Sequence, residues 1–197
     1  MIVAGVILED CLRADLYGLL GSLLSVPPGA RRLARRRRLE GDSTALGDAL
    51  ADLAQAAKRM DARRVEEEYD ALFVGDGTSE VVPLGSRYRD GLSLTIPLGA
   101  LRGDMARLGA PRAPGIAETE DHIASLLETM RGLIEGAFGP PAGLPAQFAF
   151  FRTYMMPWAG RFFDDLSAAP SADFYRAIGV VGGRFMTLEA MLLRISG

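Results

Sequence analysis

The sequence contains one cysteine and one histidine in 197 residues. Imidazole and thiolate groups build most zinc, copper and haem sites, so a two-histidine or multi-cysteine metal site within one chain is excluded. Cys11 has no partner for a disulfide within the chain, which suits a reducing cytoplasm. It lies in an apolar run at helical spacing, and we expect it to be buried packing. We therefore predict a protein without a metal ion or a bound cofactor.

A long hydrophobic segment is also missing. The apolar residues 16–26 are too few to span a bilayer. Residues 1–8 are apolar but lack a basic region and run into Glu9 and Asp10, which makes them a poor signal peptide. The formal net charge is −3, so the chain as a whole does not favour nucleic acid or an anionic membrane. These features predict a soluble cytoplasmic protein without stable membrane insertion or a nucleic-acid partner.

The common catalytic motifs are missing as well. The sequence has no G-x-S-x-G elbow, no phosphate-binding G-x-x-x-x-G-K-[ST] and no C-x-x-C. Any serine or cysteine nucleophile would have to use His122 as its base. A di-iron carboxylate bundle needs Glu-x-x-His pairs, and Thr119 stands three residues before His122. The sequence therefore predicts a protein that is not an enzyme.

Helical periodicity dominates what is present. Apolar residues recur at helical spacing in most of the chain, and no alternating strand pattern is long enough to indicate a sheet. The predicted helical segments are residues 6–24, two segments within 29–59, then 61–73, 96–108, 118–137, 146–166 and 172–195. Pro170 and Ser171 provide a stop and a cap before the last of these. We predict an all-α, single-domain bundle of about eight to ten helices over residues 1–197.

Two segments interrupt this pattern. Residues 76–93 have no helical period and are rich in glycine, proline and serine, and a long loop of this kind inside a compact domain is often functional. This loop is our first candidate for a binding surface. A second break, rich in glycine and proline, covers residues 109–115.

Charged residues form two clusters. Six arginines lie within residues 31–38, and because no aromatic residues interleave them, a solvated face is favoured over a nucleic-acid site. Glu118, Glu120 and Asp121 open a strongly periodic helix, where the helix dipole favours carboxylates. Helical geometry places Glu118, Asp121 and His122 on one face, and a lone histidine in such a position is usually structural.

Three segments, taken in order, carry a family resemblance. Residues 68–75 read E-Y-D-A-L-F-V-G, residues 83–88 read P-L-G-S-R-Y, and residues 118–123 read E-T-E-D-H-I. They resemble the E-Y-x-x-L-F-x-G, P-x-x-S-x-Y and E-x-x-D-H-[IL] motifs of the TorD/DmsD-type redox enzyme maturation chaperones, to which the NarJ-type proteins are related. The aromatic-rich C-terminal segments are also similar, with Tyr154 at the position of a histidine.

The resemblance implies an all-helical cytoplasmic chaperone, a monomer or a domain-swapped dimer. It would bind the apo form of a molybdenum-cofactor oxidoreductase catalytic subunit, its twin-arginine signal peptide, or both, and assist cofactor insertion before export or assembly. A twin-arginine peptide presents two guanidinium groups followed by an apolar stretch, so its binding site should contain carboxylates beside an apolar groove. The expected client-binding residues are Tyr69, Leu72, Phe73, Pro83, Leu84, Ser86, Tyr88, Glu118, Glu120, Asp121 and His122.

Two other functions remain open at this stage. A helical ligand-sensing or DNA-associated regulatory protein would use the arginines of residues 31–38, and its DNA binding would weaken steeply with added salt. An enzyme would use Glu118, Asp121 and His122 as acid–base groups, and it would need a closed pocket around them.

Overall fold

The protein is all-α, as predicted. The computed structural model describes residues 2–74, 79–88, 98–110 and 119–196, which contain nine α-helices and no β-strand. The helices are α1 (Ile2–Ser25), α2 (Ala30–Arg36), α3 (Ala45–Arg59), α4 (Ala62–Tyr69), α5 (Leu98–Arg107), α6 (Ile123–Glu135), α7 (Leu144–Tyr154), α8 (Ala159–Ala168) and α9 (Phe174–Ser196). A π-helical turn, Asp70–Val74, follows α4, and a short 3-10 helix covers Gly85–Arg87. The nine helices agree with the predicted eight to ten.

The chain divides into two compact units, and each is assembled from separate stretches of sequence. The first unit contains Met1–Ser22, Leu84–Trp158 and Glu189–Gly197. The second contains Leu23–Pro83 and Ala159–Leu188. The organisation of residues 1–197 as a single domain therefore stays a prediction.

Helix α6 provides much of the core of the first unit. Its apolar stripe is fully buried at Leu126, Leu127 and Met130, which confirms the helical period predicted here. The helix ends at Gly136, whose φ of 74° is the left-handed conformation that glycine adopts without a steric penalty.

Helix α1 has buried polar side chains near its middle. The Arg13 guanidinium donates two hydrogen bonds to the Glu189 carboxylate, at 2.7 and 2.9 Å, and the Tyr17 hydroxyl donates a third at 2.7 Å. All three side chains are buried, whereas Cys11 and Leu12 are exposed. The prediction that Cys11 is buried packing is wrong, because the buried face of α1 contains Arg13, Ala14 and Tyr17, and Cys11 lies outside it.

Helices α8 and α9 pack closely in the second unit. A Cβ atom added at Gly182 would lie 2.2 Å from the Phe163 ring, so this contact requires glycine. Phe163, Phe174 and Tyr175 are fully buried. This unit therefore has an aromatic core close to the N-terminal half of α9.

The single helix predicted over residues 146–166 is two helices. Helix α7 ends at Tyr154 and α8 begins at Ala159, and the turn between them contains Pro157. Proline has no N–H donor and disfavours helical geometry in the residue before it, so it favours a break here. The Trp158 indole N–H donates to the Tyr154 carbonyl at 2.7 Å within this turn.

Candidate functional site

In the first unit, the loop of residues 84–88 is attached to the start of α6. Leu84 and His122 form an isolated antiparallel bridge. The Gly85 N–H donates to the Asp121 carbonyl at 3.0 Å, and the Ser86 N–H donates to the Asp121 carboxylate at 2.9 Å. Two of the three motif segments thus meet through backbone groups and one carboxylate.

Asp121 holds the loop from a buried position. Its residue is 1% exposed, and its carboxylate accepts hydrogen bonds from the Ser86 N–H and from the Thr119 hydroxyl. A buried carboxylate needs such donors to offset its loss of hydration. Asp121 therefore positions the loop from inside the fold.

His122 is the N-cap residue of α6. Its Nδ1 accepts a hydrogen bond from the Ala124 N–H at 3.2 Å, and the residue is 5% exposed. Burial lowers the pKa of His122 from 6.5 to about 4, although the neighbouring Asp121 carboxylate acts in the opposite direction. An imidazole that accepts at Nδ1 is neutral, so the cap and the lowered pKa agree.

Glu120 already binds a guanidinium group of its own chain. Arg102 of α5 donates to the two oxygens of the Glu120 carboxylate at 2.7 and 3.0 Å. The pair has the parallel geometry in which arginine recognises carboxylates most specifically. This carboxylate raises the pKa of the Arg102 guanidinium.

Aromatic contacts fix the far end of the loop and of α7. The buried Tyr88 ring stacks on the buried Trp158 ring with a centroid distance of 5.5 Å and an interplanar angle of 27°. The Tyr154 hydroxyl donates to the Asp104 carboxylate of α5 at 2.6 Å, and burial raises the pKa of Tyr154. The tyrosine at the position of a family histidine thus anchors α5.

In the second unit, the first motif residue caps the last helix. The Glu68 carboxylate accepts from the backbone N–H groups of Asp173, Phe174 and Tyr175 at 2.8, 3.1 and 2.7 Å. Burial raises the pKa of Glu68, and these three donors act against that effect. The prediction that Ser171 caps this helix is wrong, because the Ser171 hydroxyl and N–H donate instead to the Glu80 carboxylate.

The aromatic residues of the same motif form a cluster with α9. The rings of Tyr69, Phe73 and Tyr175 lie 4.9 to 5.8 Å apart. The Tyr69 hydroxyl contacts the carbonyl of Ser25 at 3.1 Å. Leu72 is fully buried, so its side chain packs in the core of this unit.

The predicted site residues are therefore distributed over both units. The first unit contains Leu84, Ser86, Tyr88, Glu120, Asp121 and His122, and the second contains Tyr69, Leu72, Phe73 and Pro83. Glu118 lies outside the described residues, as do residues 76–78 and 89–93 of the predicted loop and residues 111–115 of the predicted break.

The sequence reasoning missed Arg102 and the capping role of Glu68. Arg102 is 18 residues from its partner and Glu68 is 105 to 107 residues from its donors. The motif of residues 68–75 was the only local signal for Glu68. Helical periodicity indicates which face of a helix is buried, but it does not indicate the partner of a charged side chain.

One arginine of the segment 31–38 makes hydrogen bonds that stabilise the fold. The Arg37 guanidinium donates to the carbonyls of Ala57 and Met60, at the C-terminal end of α3, at 2.9 and 3.0 Å. The side chains of Arg31 and Arg35 are exposed, as the predicted solvated face requires. Use of this segment for DNA or ligand binding stays a hypothesis.

In the part of the chain that the structure describes, no three histidine, cysteine, aspartate or glutamate side chains are grouped so that they could hold a metal ion. None of the helices within those same residues is long and apolar enough to cross a membrane.

Comparison with known proteins places these motifs in a family. The family described as "Nitrate reductase delta subunit" matches residues 39–164, a range that contains every predicted site residue. The chain is also similar to "Chaperone protein YcdY" of Escherichia coli (strain K12), with 28% identity over 126 residues. That alignment covers 64% of this chain and 63% of YcdY, so it spans less than two thirds of the relative. Because the family match covers more than half of the sequence, the chain belongs to the nitrate reductase delta subunit family, as its resemblance to the NarJ-related proteins predicted.

Proposed function

We propose that the protein is a cytoplasmic, non-catalytic chaperone for the apo form of a molybdenum-cofactor oxidoreductase. It binds the twin-arginine signal peptide of the catalytic subunit, its core, or both, and assists cofactor insertion before export or assembly. Membership of the nitrate reductase delta subunit family supports this proposal, and the related YcdY is described as a chaperone protein.

One observation carries the assignment of a site. The loop of residues 84–88 is fixed on the start of α6 by the Leu84–His122 bridge and the Asp121 hydrogen bonds. A surface loop held in one conformation by a scaffold helix is a common place for recognition. Beside it, Glu120 pairs with a guanidinium group, which is the chemistry that a twin-arginine peptide presents.

The same contacts weigh against the enzyme alternative. General acid–base catalysis needs groups that reach a substrate proton. Asp121 instead holds the Ser86 N–H, and the Nδ1 atom of His122 accepts the Ala124 N–H. Both groups stabilise the fold in the way that a binding scaffold needs.

The first experiment is capture of the client under reducing conditions. The tagged protein is isolated from the cytoplasm of its native host, and the retained proteins are identified by mass spectrometry. We expect a molybdenum-cofactor oxidoreductase precursor with its signal peptide intact. Recovery of nucleic acid, or of proteins that bind no molybdenum cofactor, would contradict the proposal.

The second experiment tests the site. We expect Asp121→Ala to weaken binding of a synthetic twin-arginine peptide at least tenfold in fluorescence anisotropy, because the loop loses its anchor. The helical content in circular dichroism should change little. Glu135→Ala is the matched control, since Glu135 is exposed at the other end of α6. If Asp121→Ala binds the peptide as tightly as this control does, the site assignment is wrong.

A further inference from the structure

The Glu120–Arg102 pair in the first unit is buried at one end and open at the other. The Glu120 side chain is 5% exposed, whereas the Arg102 side chain is 54% exposed. An exposed guanidinium group is therefore bound to a carboxylate that has little contact with solvent.

The neighbouring carboxylate is engaged differently. Asp121 binds an uncharged backbone N–H and a hydroxyl, and both belong to the segments that form the loop attachment. Glu120 binds a charged group on a side chain that reaches it from a separate helix. Of these two carboxylates, Glu120 is the one whose partner can be exchanged without opening the attachment of the loop.

Exchange of one guanidinium for another preserves the interaction. A buried carboxylate that loses its cation is strongly destabilised, so any departure of Arg102 must be compensated by a new cation. A second arginine restores both parallel hydrogen bonds, whereas the point charge of a lysine ammonium does not. The site is therefore selective for arginine.

Helix α5 stays attached when the Arg102 side chain leaves. Leu101 and Met105 of this helix are buried, and Asp104 accepts a hydrogen bond from Tyr154. When another cation takes its place on Glu120, the Arg102 side chain can therefore leave by a change of rotamer while α5 keeps these contacts.

We propose that Arg102 occupies the binding position of a client arginine, and that an arginine of the twin-arginine peptide displaces it from Glu120. This inference rests on the proposed function. It adds that Arg102 competes with the client arginine for Glu120 and so lowers the apparent affinity of the site. A ligand whose site is free for only a fraction of the time binds with an apparent affinity reduced by that fraction.

The test compares two arginines of α5. We expect Arg102→Ala to bind a twin-arginine peptide about tenfold more tightly than the unaltered protein, and to show no such gain for the same peptide with two lysines. Arg107→Ala is the control, because Arg107 is exposed and pairs with Asp104 on its own helix. Equal or weaker binding of the twin-arginine peptide by Arg102→Ala overturns the proposal.

A measurement without any peptide tests whether the position is open. In Arg102→Ala, millimolar methylguanidinium should raise the melting temperature, whereas methylammonium should not, and the unaltered protein should respond to neither. If Arg102→Ala does not fold, Arg102→Gln is used in the same assay. Absence of a specific guanidinium response overturns the exchange mechanism.

The two proposals fail in different ways. In one outcome, methylguanidinium stabilises Arg102→Ala, but the unaltered protein and the variant both bind the arginine and lysine peptides equally well. The proposal that the protein recognises a twin-arginine signal peptide is then wrong, and so is the proposal that a client arginine displaces Arg102. If the unaltered protein prefers the arginine peptide and Arg102→Ala gains nothing, only the competitor role is wrong.

Discussion

The lone histidine of the chain supports a helix start. His122 is the N-cap of α6, and the backbone bridge of the same residue holds the neighbouring loop. Helix N-terminal N–H groups favour an uncharged or anionic partner, so a protonated imidazole would be unfavourable at this position. This geometry indicates that His122 has a structural role as a neutral N-cap.

The pH dependence of stability follows from the lowered pKa of His122. Between pH 6.5 and about 4 the unfolded chain binds a proton at this residue and the folded chain does not, so the free energy of unfolding falls as the pH falls. The full difference corresponds to about 3 kcal/mol. Urea unfolding at several pH values between 4 and 7 measures this loss.

His122→Asn separates this effect from the titration of carboxyl groups. Asparagine is a good N-cap residue and does not titrate. The variant should therefore lack the part of the acid-induced loss that the histidine causes. An unchanged slope between pH 4 and 6.5 would show that His122 does not control it.

The sequence predicted the positions of the acidic residues at this site but not their partners. Glu120 and Asp121 were expected to face a bound peptide, yet in the structure they bind Arg102, Ser86 and Thr119. Local patterns indicate only that carboxylates lie close to the start of a helix. They cannot state which donor, many residues away, the fold brings to each one.

At the scale of elements, Glu68 of α4 caps the start of α9. One carboxylate accepts three backbone N–H groups that would otherwise have no partner within the helix. This contact gives the first residue of the E-Y-x-x-L-F-x-G motif a structural role. Tyr69 and Phe73 add ring contacts to Tyr175 of the same helix.

Replacement of Glu68 should destabilise the protein more than replacement of its exposed neighbour Glu67. We expect Glu68→Ala to lower the free energy of unfolding by about 3 kcal/mol, since charge-assisted hydrogen bonds are lost from buried N–H groups. Faster amide exchange at Phe174 and Tyr175 would localise the effect. Glu67→Ala is the control, and this exposed neighbour should change the stability by less than about 0.5 kcal/mol. Equal effects of the two substitutions would contradict the capping role.

Helical periodicity predicted the elements well and their limits less well. The period of α6 is strict, but the helix predicted over residues 118–137 begins only at Ile123. The prediction that Glu120 and Asp121 lie in its first turns, on a helical face with His122, is wrong, because the chain before the His122 N-cap is bound to the loop of residues 84–88. The break between α7 and α8 depends on the single residue Pro157. The cap of α9 depends on the side chain of Glu68, which is distant in the sequence. The buried face of α1 was predicted wrongly because periodicity gives no signal that a charged residue, Arg13, has a buried partner 176 residues away.

At the scale of the whole molecule, both units depend on the C-terminal part of the chain. Glu189, which pairs with Arg13, belongs to the first unit, and α8 belongs to the second. A chain that ends at Trp158 therefore lacks a segment of each unit.

We expect a fragment of residues 1–158 to lack a cooperative unfolding transition. It loses the buried carboxylate that pairs with Arg13 and the aromatic residues that pack in the second unit. Thermal unfolding followed by circular dichroism checks this, and addition of a peptide of residues 159–197 should restore the transition. A cooperative transition in the fragment alone would mean that the two units form without the last helices.

The interleaved segments also determine when the protein matures in the cell. Translation proceeds from the N-terminus, so Arg13 leaves the ribosome long before Glu189, and Glu68 long before Phe174. Neither unit can close before its C-terminal segment, Ala159–Leu188 or Glu189–Gly197, has been synthesised. Buried groups such as the Arg13 guanidinium and the Glu68 carboxylate consequently stay without their partners until the segment that contains residues 173–189 has left the ribosome.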